Sequence, residues 1–538
     1  MSGLLQDGLF PGDNEQVTSS TPKHSRSESC IAVNPLNPLN MVGASKKFTD
    51  PAKYVFFLGP VYTVDGGATW HESTLPLKPG WQTMTDPTVA FDHFGNVFLI
   101  GEPDSLTTGD IVGLGMVAYR SKDGGKTWAA PVQLATEKTD DKQWVQCDNH
   151  PDSPHYGNVY VVWGAVSPLR FARSTNHGNT WTGKAGEPSG STLVSFCFAP
   201  DIAISPDGTL HVFWHDDGGT DIKYIRSTDG GASFSSVVKV ATEISSLRGH
   251  LPLTNNWPHF DHGKFRVITL ATSCAGKGGL VVIAWADMRE GRSRIYYRRS
   301  LNAGVSWSGP ASGKPLLPAI NFGDTQCFHP QIVSNRHGVI GCAFYAFGKH
   351  AGDHYLIDVK LAGSWNNAAA FSNLTTVTDK PWDPLVNAPF SHGDPAVHFI
   401  GEYLGLDADE DFAVLWTDTR TGVQELFFSL VETTRMLPIR VPVLVAEILF
   451  GVIEGGGGWV IIGGKLHKIP PGDPPLVTAV EEFVAKHGLK AAGFDELLRG
   501  AVGRAEQRIR VAEMDEIAGR KAEIPAADIE ADEHSEGT

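Results

Sequence analysis

The sequence of 538 residues is poor in charge, in cysteine and in long apolar runs. Charged residues make up 19% of the chain, and the net charge is −16. Residues 511–538 alone hold nine acidic residues against Arg520 and Lys521. Because nucleic acid binding requires a basic surface, this balance argues against a nucleic acid partner.

The six cysteines are too few for a disulfide scaffold in a chain of this length, and they lack the spacing of a zinc site. We therefore expect no metal and no cofactor. The N-terminus, MSGLLQDGLFPGDNEQ, has neither a basic start nor an apolar run, so it predicts no secretory signal. The apolar stretch 441–453 contains Glu447 and is too short to cross a bilayer. The sequence gives no indication of an oligomeric state.

Glycine is abundant, with 59 residues, and tryptophan follows it in a repeated turn motif. The motif reads Ser/Thr-x-Asp-x-Gly-x-Thr/Ser-aromatic, and its copies end at Trp70, Trp128, Trp181, Phe234 and Trp307. An Asp side chain can bond the N–H groups of a tight turn, and glycine permits positive φ. Five copies at spacings of 53 to 73 residues indicate an all-β protein built of repeated units.

The motif resembles the Asp-box, or bacterial neuraminidase repeat, of the sialidase-like β-propellers. This resemblance implies a seven-bladed propeller over residues 26–435, with residues 1–25 as an N-terminal segment. Six blades plus an irregular insertion is the alternative. Alternating strands such as HVFWHDD and IYYRRS fit either count. By family the protein would be extracellular, whereas the missing signal favours the cytoplasm.

Residues 436–538 differ from the repeats in composition and pattern, and they predict a small α+β appendage. Residues 441–453 suggest a short apolar helix, and GGGGWVIIGGKLHKIPPGDPP suggests a glycine-rich hairpin. Residues 476–522 have helical spacing, and the acidic tail after them is expected to be disordered.

Polar residues at the starts of the inner strands are the candidates for chemistry, since a propeller funnel commonly holds its ligand there. They are Arg26, Glu28, Asp86, Asp148, Asp201, His259, His329, Glu402 and Tyr403. A ring of carboxylates can supply the proton donor and the nucleophile or base of glycoside hydrolysis. We predict Asp86, Asp148, Glu402 and Tyr403 as catalytic residues, the last two because sialidases use a Tyr–Glu pair. The alternative is that these acids bond backbone amides and brace the blades.

Arginines supply the second prediction. Arg289 and Arg420 lie in repeated Asp-x-Arg-x-Gly loops, and with Arg26 they would form a cluster that grips a sugar carboxylate. The alternative is a repeated Asp–Arg brace within each turn. Glu28 and His329 complete the predicted substrate-binding residues. The Phe/Tyr-Arg-Ile-Pro motif of sialidases is absent from the start of the chain, where HSRSESC with Arg26 stands instead.

Two classes of function remain open. The first is a sialidase-like glycoside hydrolase that acts on an acidic glycan at the funnel. The second is a non-catalytic propeller that binds a glycan or a protein partner.

Overall fold

The computed structural model describes residues 5–469 except residues 20, 22–23, 108–109, 217, 351–353, 437–440, 444–445, 454–456 and 463–464. It divides into two compact units, Gly8–Thr433 and a second unit of Met1–Asp7 with Thr434–Thr538. The predicted helical segment 476–522 and the predicted disordered tail lie outside the described residues.

Antiparallel strands make up nearly all of the larger unit, as the sequence predicted. The N-terminal strands are β1 (Leu5–Pro11) and β2 (Glu15–Gln16). The first two complete sheets contain β3 (Arg26–Val33), β4 (Met41–Asp50), β5 (Val55–Thr63) and β6 (His71–Glu72), then β7 (Thr83–Phe91), β8 (Val97–Thr107), β9 (Asp110–Gly113), β10 (Met116–Ser121) and β11 (Val132–Ala135).

A seven-stranded sheet follows, in which one long strand serves two repeats. Its members are β12 (Gln143–Cys147), β13 (Val159–Trp163), β14 (Ala165–Ser174), β15 (Ser191–Ile204), β16 (Leu210–His215), β17 (Ile222–Ser227) and β18 (Val238–Ala241). The first half of β15 pairs with β14, and its second half pairs with β16.

The remaining sheets of the larger unit have the same meander. They contain β21 (Ala271–Gly276), β22 (Leu280–Asp287), β23 (Arg294–Ser300) and β24 (Lys314–Pro315), then β25 (Gln326–Ser334), β26 (Ile340–Lys349), β27 (Tyr355–Ser364) and β28 (Asn373–Thr376), then β29 (Gly405–Ala408), β30 (Phe412–Asp418) and β31 (Glu425–Met436). β1 and β2 pair with β31, so the start of the chain completes the last sheet.

The first strands of the repeats pack against one another in a closed ring. β3 contacts β7, β7 contacts β12, and the series continues through β15, β21 and β25 to β29, which contacts β3 again. A ring of radially arranged meanders is the architecture of a β-propeller. The strands that form it are buried along their whole length in several sheets, for example in β3 and β22.

Short helices and one small hairpin interrupt the repeats. The α-helix is α1 (Leu247–His250), and the 3₁₀ helices span Pro51–Lys53, Lys184–Gly186, Lys277–Gly279 and Ser391–Gly393. The hairpin pairs β19 (Leu253–Thr254) with β20 (Trp257–Pro258). The prediction that the fifth repeat starts near Trp257 is therefore wrong, because its first strand is β21 and residues 247–270 form an insertion before it.

The repeated turns join the third and fourth strands of the repeats and share one hydrogen-bond pattern. In the second sheet, Asp123 accepts bonds from the Thr127 N–H at 2.9 Å, the Thr127 hydroxyl at 2.6 Å and the Ser121 hydroxyl at 2.8 Å. Equivalent bonds centre on Asp65, Asn176, Asp229 and Asn302. The Asn366 turn after β27 shows part of this pattern.

The aromatic residue that ends each turn packs on the preceding sheet of the ring. Trp181 meets Phe98 at 6.3 Å between ring centroids, Phe234 meets Phe171 at 5.1 Å, and Trp307 meets Phe213 at 5.7 Å. Trp70 meets Phe428 of the last sheet at 5.1 Å, and the Trp128 indole donates to the Ser73 hydroxyl at 2.9 Å. The turns thus fasten neighbouring sheets together.

The described part of the smaller unit contains one four-stranded meander, built of β32 (Val441–Val443), β33 (Ala446–Ile453), β34 (Gly457–Ile462) and β35 (Lys465–Ile469). The predicted helix at 441–453 is wrong, since those residues form β32 and β33. The run Ile448 to Ile453 suits a strand as well as a helix, and pairing with β34 decides between them. The predicted glycine-rich hairpin is present as β34 and β35.

Candidate active site

A non-glycine residue with positive φ lies in or just before most first strands of the ring. The residues are Glu28, Asp86, Lys142, Ala199 and His329, with φ of 46–56°. In β3, β7, β15 and β25 this residue lies at a break in strand register, which marks a β-bulge. Positive φ costs free energy for a residue other than glycine, and residues held in this conformation cluster at functional sites. Each lies three positions before a buried apolar residue such as Ile31 or Val89.

The side chains of Glu28 and Asp86 meet at one lysine. Lys46 Nζ lies 2.7 Å from Glu28 Oε2 and 3.2 Å from Asp86 Oδ1, and all three side chains are buried. Burial and the adjacent Asp86 charge raise the pKa of Glu28 well above its usual value. Burial alone would raise the pKa of Asp86 too, but Lys46 and Lys142 hold it well below its usual range. The pair therefore consists of a protonated Glu28 beside an ionised Asp86.

Asp141 is the half-buried acid next to this pair. Burial and the charge of Asp86 raise the pKa of Asp141 to about 7. The adjacent Lys142 places its ammonium 3.8 Å from the ring centroid of Tyr403 and 5.0 Å from that of Trp144. Such contacts between a cation and an aromatic face hold the lysine in position. Asp141 is thus a carboxylic acid that can donate a proton near neutral pH.

Arg266 neutralises Glu402 at the same centre. Its Nε lies 2.7 Å from Glu402 Oε1, and its guanidinium lies over the rings of Trp257 at 4.3 Å and Phe399 at 4.4 Å. The insertion before β21 supplies Arg266 and Trp257. The phenol of Tyr403 donates to the backbone oxygen of Pro87 at 3.3 Å, and burial raises the pKa of Tyr403 well above its usual value. Glu402 and Tyr403 are both central, but they do not pair as the sialidase resemblance implied.

His329 completes the group. It is 1% exposed, neither ring nitrogen has a hydrogen-bond partner among the described residues, and burial with the charges of Arg266 and Lys142 lowers its pKa to about 3. A neutral imidazole at this position offers one donor and one acceptor to a ligand.

Asp148 lies at the other end of its strand from this centre. It follows β12, whereas Lys142 precedes it. Its carboxylate accepts bonds from the Ser153 hydroxyl at 2.6 Å and the His150 N–H at 3.2 Å. Asp92 and Asn335 brace the equivalent turns of other repeats in the same way. The prediction that Asp148 shares the catalytic centre is therefore wrong in its placement.

Two other predicted residues also have local partners. Asp201 accepts a hydrogen bond from the Ser273 N–H and so links β15 to β21. His259 lies in the insertion, where its Nε2 is 2.9 Å from the Thr254 hydroxyl.

The predicted arginine cluster does not form. Arg289 binds Asp287 within its own turn, with Nε to Oδ1 at 2.9 Å, and Arg420 binds Asp418 with Nε to Oδ2 at 2.8 Å. Arg26 is buried and pairs with Glu72 at 2.6 Å. The indoles of Trp285 and Trp416 bond the same aspartates at 3.0 and 3.1 Å, so each Asp–Arg unit is the local brace that was the alternative prediction.

Two cavities, of about 140 and 260 Å³, lie between the outer parts of sheets and away from these carboxyls. In the described residues no group of three His, Cys, Asp or Glu side chains has a metal-binding arrangement. Over the same residues no helix is long and apolar enough to span a membrane.

Sequence analysis missed Lys46, Glu102, Asp104, Asp141, Lys142 and Arg266. One sequence signal was available: the positive-φ residue stands three positions before a buried apolar residue of the strand. By this criterion Lys142, and not Asp148, is the residue of the third repeat that belongs to the centre. Arg266 carried no such signal because it belongs to the insertion.

No family model matches the chain, and no curated protein matches it. Among solved structures it is similar to a protein of unknown function from Dyadobacter fermentans, with 16% identity, a TM-score of 0.42, and coverage of 66% of this chain and 98% of that one. It is also similar to a Hadza microbial sialidase, with 14% identity, a TM-score of 0.39, and coverage of 62% and 66%. A third similar structure is an α-L-arabinofuranosidase from Fusarium graminearum, with 13% identity, a TM-score of 0.38, and coverage of 78% of this chain and 98% of that one. At these values no residue role is carried over to this chain.

Proposed function

We propose that the larger unit is a seven-bladed Asp-box propeller that hydrolyses glycosidic bonds at the Glu28–Asp86–Asp141 carboxyl group. The observation that carries the proposal is that Glu28 and Asp86, two buried carboxyls from neighbouring first strands, have opposite protonation states, with Asp141 beside them. Glycoside hydrolysis needs one acid that is protonated and one that is ionised at the same pH.

In this proposal Asp141 protonates the leaving oxygen, since it is the most solvent-accessible acid of the three and its pKa lies near 7. Asp86, which Lys46 and Lys142 keep ionised, acts as nucleophile or as the base that activates water. Lys46 is a positioning residue, because it ties Glu28 and Asp86 together. Tyr403 is left out of the chemistry, since its phenol is committed to Pro87 and its pKa is raised.

The finer hypothesis of sialidase action on an acidic glycan depends on free guanidinium groups. Arg26, Arg289 and Arg420 each have a carboxylate partner, so this hypothesis is the second candidate. A non-catalytic glycan-binding or protein-binding propeller is the third.

A panel of aryl glycosides tests the three together, with neutral sugars, amino sugars, uronides and sialosides assayed on the wild-type protein, Asp86→Asn and Asp141→Asn. Turnover of a neutral or amino-sugar glycoside that both substitutions abolish supports the proposal. Turnover confined to sialosides would favour the second candidate. Glycan binding without any turnover would leave the binding propeller.

A further inference from the structure

Beside the carboxyl group lies a set of buried oxygens that lack hydrogen-bond donors. Among the described residues, Glu102 Oε2, Asp104 Oδ2 and Gln143 Oε1 have no partner beyond the hydrogen bond that the two carboxyls share, and their residues are 5%, 1% and 1% exposed. We name these three side chains the acceptor pocket. Glu102 and Asp104 alternate on β8, where they pair with Thr85 and Thr83 of β7. They therefore lie on one face of the strand.

The hydrogen bonds of Gln143 identify which atom of its side-chain amide is left without a partner. Its amide nitrogen donates to the backbone oxygens of Asp86 and Ile100, and Ile100 lies two residues before Glu102 on β8. This fixes the amide so that its nitrogen is used and its oxygen is left over. A buried amide oxygen without a donor costs free energy unless a ligand supplies one.

The acceptor pocket also has no cation. Within the described ranges, no lysine, arginine or histidine nitrogen lies within salt-bridge distance of Glu102 or Asp104. Lys46 and Arg266 are engaged by Glu28, Asp86 and Glu402. Burial and the charge of Asp141 raise the pKa of Glu102 well above its usual value and that of Asp104 to about 8. Burial and the neighbouring acids outweigh the charge of Lys46, so both carboxyls are protonated near neutral pH.

A protonated primary amine matches this surface. An ammonium group has three donors, no acceptor and one positive charge. A metal ion fits less well, since no metal-binding arrangement of three ligand side chains occurs in the described part of the chain.

We propose that the acceptor pocket binds the ammonium group of an amino sugar, which makes amino-sugar glycosides the substrate class of the hydrolase. This inference rests on the proposed function. Binding exchanges one proton of the Glu102–Asp104 pair for one ammonium, and the proton leaves to solvent. Because the charge of the pocket does not change, Asp141 keeps the proton that it donates to the leaving oxygen.

Isothermal titration calorimetry with glucosamine oligomers at pH 7 tests the exchange, with N-acetylated oligomers as the neutral comparison. Titrations in phosphate and in MOPS report the protons released, because the two buffers differ in ionisation enthalpy and neither contains a primary amine that would compete for the pocket. We expect tighter binding of the free amine, with net proton release. Glu102→Gln and Asp104→Asn each remove a carboxyl that can ionise to pair with the ammonium, so the affinity should fall about ten- to a hundredfold.

Asp152→Asn is the matched control, since it removes one exposed carboxylate from a turn that precedes β13. It should bind the amine as the wild-type protein does. The inference would be overturned if the free and acetylated oligomers bound with equal affinity or if no proton were released. It would also be overturned if Ca²⁺ alone displaced the bound amine.

An assay of aryl glycosides of glucosamine and of N-acetylglucosamine separates the two proposals. Cleavage of the acetylated glycoside without preference for the amine would overturn the inference and leave the hydrolase standing. Amine binding with proton release but no cleavage of any glycoside would overturn the hydrolase and leave the ammonium site.

Discussion

At the scale of single residues, a left-handed position in or just before most first strands brings several side chains to the centre. Glu28, Asp86, Lys142 and His329 share this conformation, although none of them is glycine. The bulge turns the chain so that the side chain leaves the alternation of the strand. These four central side chains therefore share one recurring backbone position, and Asp148, at the opposite end of β12, does not have it.

The contrast between Asp86 and Asp148 gives the first prediction. Asp86→Asn should lower turnover by about 10²- to 10⁴-fold, because it removes the ionised member of the carboxyl pair. Asp148→Asn should keep turnover and lower the free energy of unfolding by about 1–2 kcal/mol, since it weakens a turn held by Ser153 and His150. Steady-state kinetics and denaturant unfolding measure the two effects. Loss of turnover in folded Asp148→Asn would contradict the placement of the site.

A second prediction concerns Asp104 and pH. Its folded-state pKa of about 8 lies above its ordinary value of 3.8, so its stabilising contribution is complete below about pH 4. That contribution is lost progressively as the pH rises toward 8. Asp104→Asn cannot ionise, and its melting temperature should exceed that of the wild-type protein by a margin that grows from pH 4 to pH 8.

The margin should become constant above about pH 8, where the folded wild-type protein has ionised as well. The neutral histidines His211, His329 and His392 affect both proteins equally, so the difference between the two curves reports Asp104 together with Glu102 and Asp141, whose charges are coupled to it. A margin that does not change with pH would show that Asp104 titrates normally.

At the scale of elements, the repeated turns hold neighbouring sheets together rather than shaping the site. The Gly125 φ of +89° permits the turn, and a Cβ there would approach Val42 of the first sheet to 2.5 Å. The aromatic ring at the end of each turn packs on the same neighbouring sheet. A turn of this kind thus has two functions, one within its own sheet and one between sheets.

Trp128 provides the corresponding prediction. It is 8% exposed, and Trp128→Ala should lower the free energy of unfolding by about 3–5 kcal/mol without changing substrate affinity. Trp128→Phe keeps most of the apolar contact and loses only the bond to Ser73, so it should cost about 1 kcal/mol. Denaturant unfolding of both variants tests the order. A melting temperature of Trp128→Ala equal to that of the wild-type protein would refute the role of the turn.

At the scale of the whole molecule, the ring closes through pairing of the chain start with the last sheet. Glu15 pairs with Phe428, and the Gly12 N–H donates to the Leu430 oxygen at 2.8 Å. Asn14 adds a side-chain bond to the Val377 oxygen at 2.8 Å. The last sheet therefore depends on residues more than 350 positions apart in sequence.

Two truncations test this closure and the proposed domain boundaries. Deletion of residues 1–16 exposes the edge of β31, so we expect a lower melting temperature and aggregation. Among the described strands of the ring, deletion of residues 435–538 removes only the last two residues of β31, and the protein should stay soluble and melt cooperatively. Differential scanning calorimetry of both proteins measures the difference. Loss of cooperative melting in the second protein would show that residues 435–538 belong to the core of the propeller.

The sequence by itself determined the repeating all-β organisation, because glycine, Asp or Asn and an aromatic recur wherever local turn chemistry requires them. It also predicted Glu28, Asp86, Glu402 and His329 at the starts of inner strands, together with Asp148, which the structure places at the other end of its strand. Local patterns of this kind depend on neighbours within a few positions, and those can be read directly from the chain.

Only the tertiary structure decided which charges meet. Lys46 lies in the second strand of its sheet and Arg266 in an insertion, and no periodic signal relates either of them to Asp86 or Glu402. The structure also assigned Arg289 and Arg420 to their own turns, where an Asp two residues away satisfies the guanidinium. Ion pairing and protonation depend on distances across the ring, and those distances are set only when distant strands pack together.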